Sequence, residues 1–278
     1  MKHRWVVICM FLFLPSFAYK GICSLTPSSL SNEINTLLDS IKNIPGDSLR
    51  KNVNDKVISI LDKYFRQATS FNDSLIGMKY IGKIFSPDKK FNIITWNLPM
   101  QDGTNTFYGF IQINPKKDSV CKVYFLKNNN LFDPKALPYV KTNTDRWIGA
   151  LYYEIVPPLN KKNDTYILLG SQLNNMFTSK KIIETMTIDE DNIVFGSPVI
   201  YIGQKPQCRI IFEFAISAKM SLQYIADKQM IVFDHLSPVS PVYVGNYKFY
   251  GPDFTYDGLK YEKDRWNYVS DIFLRNKK

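Results

Sequence analysis

Two periodicities divide this chain. Between residues 30 and 65 apolar side chains recur every three or four positions, first Leu30, Ile34, Leu37, Leu38 and Ile41, then Leu49, Val53, Val57, Ile60, Leu61, Tyr64 and Phe65. Side chains so spaced share one face of an α-helix, and an apolar stripe of that kind seeks burial. Thr26-Pro27-Ser28-Ser29 starts the first helix and Pro45-Gly46 stops it, while the second runs from about residue 47 to 67. So short a connection predicts an antiparallel helical hairpin covering a sheet face or edge. A partner-binding coiled coil is disfavoured because the repeat is too short.

Beyond residue 75 the period becomes two, and turn residues arrive about every eight to twelve positions, the signature of antiparallel β structure. Three groups of strands emerge. The first takes 81–85, 91–96, 107–113 and 120–126; the second takes 147–156, 165–170, 181–188 and 193–200; the third takes 209–215, 220–225, 230–234, 247–250, 254–261 and 266–269. The predicted fold is mainly β, an antiparallel meander forming a sandwich or partly open barrel with an N-terminal α-helical hairpin. A propeller is the alternative, but three groups are fewer than the usual four to eight or so blades and no sequence repeat supports one. The expected organisation is a leader over 1–18, a helical hairpin region over 19–74, a first β group over 75–130, and a C-terminal β region over 145–278 in one fold with the first group. The polar, Pro-containing stretch 128–144 is the best internal boundary.

The leader sets the compartment. Met1-Lys2-His3-Arg4, the apolar run from Trp5 to Leu14 and Ser16-Phe17-Ala18 read as a secretory signal peptide cleaved after Ala18. The run falls short of the roughly 20 residues a membrane span needs, and no later segment reaches that length. Lipid attachment at Cys23 is disfavoured by Lys20-Gly21-Ile22 before it; an uncleaved N-terminal anchor is the other minor alternative. The protein is therefore expected to be exported, to the periplasm, the outer-membrane periphery or the exterior. Its formal charge of +10 suggests a polyanion partner. The lysines, however, sit as Lys89-Lys90, Lys116-Lys117, Lys161-Lys162 and Lys180-Lys181, mostly beside turn residues, which reads as solvated turns rather than a nucleic-acid face.

Cys9 leaves with the leader, and Cys121 and Cys208 each lie in or beside an apolar run. In an oxidising compartment they could bridge; two buried thiols are the equal alternative. Zinc is disfavoured, since no Cys-x-x-Cys is present and His235 is the only histidine after the leader. Asp189-Glu190-Asp191-Asn192 lacks the glycine and distal glutamate of a calcium loop and reads as a solvated hairpin. With no Walker loop, dinucleotide glycine pattern or His-Glu-x-x-His, no metal and no cofactor is expected.

The densest constellation is C-terminal: Met230-Ile231-Val232-Phe233-Asp234-His235-Leu236-Ser237-Pro238, then residues 247–258, YKFYGPDFTYDG. This region resembles a family of uncharacterised secreted proteins from Bacteroidetes, which carry a similar MIVFDHLSP run, an FYGPD segment, a YDGL turn and a Trp. The likeness covers roughly residues 145–270. It implies a Gram-negative envelope or periplasmic setting and brings no activity with it.

Asp234 and His235 invite an acid-base reading, and nearby Ser237 a triad, but strand neighbours face opposite ways unless the strand ends or bulges. A turn in which Asp234 or Ser237 caps backbone amides is preferred. Asp253 and Asp257 are candidates for a glycosidase pair, with Tyr250, Tyr256 and Trp266 as a sugar platform. Four residues apart in an extended strand, the two acids would stand about 13 Å apart, too far for a retaining pair unless the chain turns. Core aromatics and hairpin chemistry are the preferred reading. The functional expectation is an exported envelope protein acting by binding or assembly, with an envelope protein or a glycan as partner; the alternative is a carboxylate-dependent hydrolase acting on a glycan. Sequencing the N-terminus of protein recovered from the envelope fraction should find Tyr19 first; recovery of an intact Met1 form from the cytoplasm would refute export.

Overall fold

The computed structural model describes residues 27–116, 119–129, 132–160, 164–189 and 192–273. The leader, Cys23, Lys117, Lys161-Lys162 and Glu190-Asp191 of the acidic turn lie outside the described residues. The two helices, α1 (Pro27–Ser40) and α2 (Asp47–Phe65), form where the apolar stripes predict them. Gly46, at φ +85°, supplies the left-handed backbone that starts α2. Leu30, Ile34, Val57, Leu61 and Phe65 from the stripes are fully buried.

What they bury against is the first sheet, an antiparallel meander of β1 (Gly82–Phe85), β2 (Phe91–Pro99), β3 (Asn105–Ile113) and β4 (Val123–Lys127). Alternation along β2 sends Ile94, Trp96 and Leu98 into the core shared with the helices, and Phe91 and Ile93 into a second core on the opposite face. Polar groups fix the helix-sheet register. Trp96 Nε1 donates to Asn54 Oδ1 of α2 at 2.8 Å, and Lys83 Nζ donates to the carbonyls of Ser70, Phe71 and Asp73 at 2.8, 2.9 and 2.8 Å. Burial lowers the Lys83 pKa to about 8.

The second sheet is built from β5 (Thr142–Asn143), β6 (Leu151–Val156), β7 (Thr165–Leu173), β8 (Thr178–Asp189) and β9 (Asn192–Phe195), in the order β5-β9-β8-β7-β6. After β10 (Ile200–Ile202) and β11 (Lys205–Gln207), β12 (Arg209–Ala215) returns to pair with Thr178–Glu184 of β8, whose far end pairs with β9. The third sheet adds β13 (Leu222–Ile225), β14 (Met230–Pro238), β15 (Tyr250–Glu262) and β16 (Arg265–Val269), in the order β11-β10-β16-β15-β14-β13. Among the described residues of this sheet, every strand pairing is antiparallel except β10 with β16.

These pairings correct the grouping expected from the sequence. The strand at 209–215 belongs to the second sheet, the run 193–200 is split between two sheets, and 247–249 is a turn of 3-10 helix instead of a strand. The result is a sandwich-like stack in which helical hairpin, first, second and third sheets succeed one another with a core in each interval. Leu168, Ile182 and Met186 of the second sheet face the first, while Ile167, Leu169 and Ile183 face the third. Among the described residues no sheet closes on itself, so the fold is the sandwich-like form of the expectation, and the stacking leaves no radial blades of a propeller. Cys121 and Cys208 are free and buried, so the thiol reading stands; burial raises both pKa values.

At the centre of the stack lies a charge pair without solvent contact. Arg209 Nε meets Glu184 Oε1 at 2.8 Å, both side chains 0% exposed. Arg209 Nη1 donates to the carbonyls of Leu137 and Val140, the Tyr152 hydroxyl donates to Glu184 Oε2, and Trp147 Nε1 donates to that hydroxyl at 3.0 Å. Arg209→Met should destabilise the fold by about 3–5 kcal/mol, because Glu184 would remain buried and unpaired. Urea denaturation checks this, and the double variant Arg209→Met/Glu184→Leu should lose less than the sum of the single losses.

Candidate functional site

The β14–β15 hairpin carries most of the residues singled out in the sequence, and an irregularity in its ladder arranges them. Pairing proceeds to Asp234 opposite Tyr256, breaks, and resumes at Leu236 opposite Pro252. Between those rungs β14 places one residue, His235, while β15 places three, Asp253, Phe254 and Thr255. Asp253 Oδ1 accepts from Thr255 N at 3.1 Å and from Thr255 Oγ1 at 2.7 Å, a tight turn that puts Phe254 at φ +71°.

The bulge draws both carboxylates onto one imidazole. His235 Nδ1 lies 2.7 Å from Asp257 Oδ2, and its Nε2 lies 3.9 Å from Asp253 Oδ2. Asp257 also accepts from the Tyr268 hydroxyl at 2.6 Å and from the Asp271 backbone N–H at 3.3 Å, and its side chain is 5% exposed. The wide separation expected of an extended strand therefore does not occur, because the chain turns at Phe254. Asp234, by contrast, takes no part: it accepts from Ser221 N at 2.7 Å. Nor is the segment a turn as expected, since β14 continues through Pro238. Ser237 pairs with Gly251 while each ring nitrogen of His235 faces a carboxylate, so no triad forms.

The expected aromatic platform is not assembled. Trp266 is 3% exposed and packs with Tyr224 and Tyr261 in the third core. The Tyr250 hydroxyl accepts from Gly245 N at 3.0 Å, and half-buried Tyr256 pairs with Asp234. Tyr268 and Asp271 went unnoticed in the sequence, since Tyr268 comes from the neighbouring strand β16 and Asp271 from just past its end. Alternation from Trp266 along β16 was the only signal for Tyr268.

Electrostatics make the cluster an ion-pair clamp. The hydrogen bond to Asp257 raises the His235 pKa above its ordinary 6.5, with the charges of Asp257, Asp253 and Asp271 outweighing partial burial. Burial opposes ionisation of Asp253, but Thr255 and His235 overcome it and hold its pKa below the ordinary value. Tyr268 is pushed up by burial and then by Asp257. An imidazole hydrogen-bonded at Nδ1 and facing a second carboxylate across 3.9 Å at Nε2 is a fastener more than a free general base. Two larger clefts, of about 460 and 450 Å³, lie elsewhere, and none of His235, Asp253 and Asp257 lines either. Among the described residues no group of three or more His, Cys, Asp or Glu is placed to hold a metal, and no helix is long and apolar enough to cross a membrane. Beside the clamp Phe254 is 94% exposed, and farther along the hairpin Val239, Val242 and Val244 of the β14–β15 connection are exposed too. Comparison with protein-family models, curated proteins and solved structures yields no match.

A histidine whose pKa is raised by folding adds stability that is complete below its unfolded value and lost as pH rises through the folded one. Unfolding free energy relative to His235→Ala should therefore shrink as pH rises from the ordinary histidine value of about 6.5 through the raised folded-state one. An NMR titration of the imidazole should show a midpoint above 6.5. A pH-independent difference between the two proteins would remove the clamp.

Proposed function

We propose that this protein is an exported envelope component that acts by binding a partner protein through the bulged end of the β14–β15 hairpin. The single observation behind this reading is Phe254. A bulky side chain at φ +71° costs about 1–2 kcal/mol, and its ring is 94% exposed, so folding recovers little from it. Asp253, Thr255 and His235 hold that conformation in place, and Val239, Val242 and Val244, in the connection that closes the hairpin, add further exposed apolar side chains. Exposed apolar side chains on a rigid support are the makings of a contact surface. The leader and the resemblance to secreted Bacteroidetes proteins support the envelope setting. The hydrolase reading has less behind it, because Asp257 is occupied by three partners and the cluster lines neither of the larger clefts.

A photo-cross-linking residue at position 242 should give one discrete adduct in intact producing cells, and one at exposed Leu49 should give none. Phe254→Gly should raise stability by about 1 kcal/mol through relief of the left-handed strain and abolish the adduct at 242. Persistence of the adduct in that variant, or its absence from the unmodified protein, would refute the proposal.

A further inference from the structure

The seam between the first and second sheets opens, beside Phe107, into the cleft of about 460 Å³. Phe107, Phe132, Ile148 and Ile211 give it apolar walls, and Asp102, Gln172, Asn174 and Lys180 are among its polar groups. A hollow of about 240 Å³ adjoins this groove, with Pro134, Leu137, Lys180 and Ile211 lining both.

What the polar groups offer a ligand is decided by what they already do. Gln172 Nε2 donates to the backbone carbonyls of Ile148, at 3.2 Å, and Gly149. Asn174 Nδ2 donates to Thr178 Oγ1 at 2.8 Å and to the Glu213 carboxylate at 3.1 Å. Carbonyl and carboxylate oxygens only accept, so both amides are oriented by their partners and both N–H pairs are consumed. Their carbonyl oxygens are what remains. Asp102 behaves alike: Oδ1 takes the N–H and O–H of Thr104 at 2.9 and 2.6 Å, leaving Oδ2. Lys180, the one cation among these groups, has Glu213 Oε2 at 3.5 Å to balance its charge.

From Asp102, Gln172 and Asn174 the groove thus gains three acceptor oxygens, beside apolar walls and a lysine whose charge Glu213 balances. The complementary ligand carries several hydroxyl donors on rings with apolar faces, and bears no anionic group. We infer that this groove binds a neutral oligosaccharide. It is a second site, separate from the Phe254 surface and independent of the partner-protein reading.

Isothermal titration of the full-length protein with maltotetraose, cellotetraose, xylotetraose and mannotetraose tests this. At least one should bind with a Kd of about 1 mM or tighter. Its fully O-methylated counterpart, which cannot donate, should bind at least about tenfold more weakly. Ile211→Trp, which fills the apolar wall, and Asp102→Asn, which turns the outward acceptor into a donor, should each cost about tenfold or more. Phe254→Gly should leave the affinity unchanged. Should Ile211→Trp fail to fold, Asp102→Asn in its exposed turn still carries the test. Heat from none of the four sugars at 5 mM (roughly fivefold above that Kd), equal binding of the methylated sugar, binding of uronate oligosaccharides alone, or full affinity in Asp102→Asn would each overturn the inference.

Discussion

The fold turns on the ion pair of Glu184 and Arg209, two opposite charges inside the central sheet with no exposure to water. An isolated charge there would be prohibitively costly, and the pair is held by the partners around it, with Arg209 Nη2 the one polar atom of the pair left without a hydrogen bond. Those partners come from four places: the carbonyls of Leu137 and Val140 before β5, Tyr152 of β6, Glu184 of β8 and Arg209 of β12. Demanding them all at once pulls the 137–140 segment onto the second sheet and brings β12 to the edge of β8. The polar stretch 128–144, which looks like a connector, thereby supplies part of the interior.

The same logic recurs on a smaller scale where the helical hairpin meets the first sheet. Between the helical hairpin and the first sheet, Asn92 and Gln112 hydrogen-bond at 3.0 Å, and Gln112 donates onward to the Phe65 carbonyl and the Ser70 hydroxyl at 2.6 and 2.7 Å. Lys83 gathers three carbonyls around the turn after α2. Apolar burial drives the layers together without specifying how they sit, whereas these buried polar contacts tolerate only one register. A stack with that rigidity can hold irregular backbone at its margins, and the bulge at His235 is such a margin.

Two surfaces result, with different physics. At the third sheet a strained hairpin end, fastened by an imidazole between two carboxylates, presents apolar side chains that folding leaves uncovered. In the seam of the first two sheets, amides whose N–H groups are spent on the protein leave their oxygens to line a groove with apolar walls. Recognition of a protein surface and of a hydroxyl-rich ring differ in just this way: one needs area, the other needs acceptors.

Much of the local structure was legible in the chain. The helical stripes of 30–41 and 49–65 and the alternation through 91–113 and 165–188 reflect burial of one or both faces, a constraint that acts residue by residue and leaves its period in the sequence. The layer order was not legible, because β12 and β10 choose their partners by long-range complementarity: Arg209 must reach Glu184, and Ile200 pairs parallel with Trp266. The site divides the same way. Asp253, His235 and Asp257 could be named from their residue types, but the expected separation of the two acids failed because a ladder bulge is a property of two strands read together. The exposure of Phe254 had no local signal at all, and Tyr268 had only the alternation along β16. Pattern determined which segments became helices and strands; only the packed structure decided which carboxylate meets the imidazole, since hydrogen-bond geometry is settled by neighbours in space rather than along the chain.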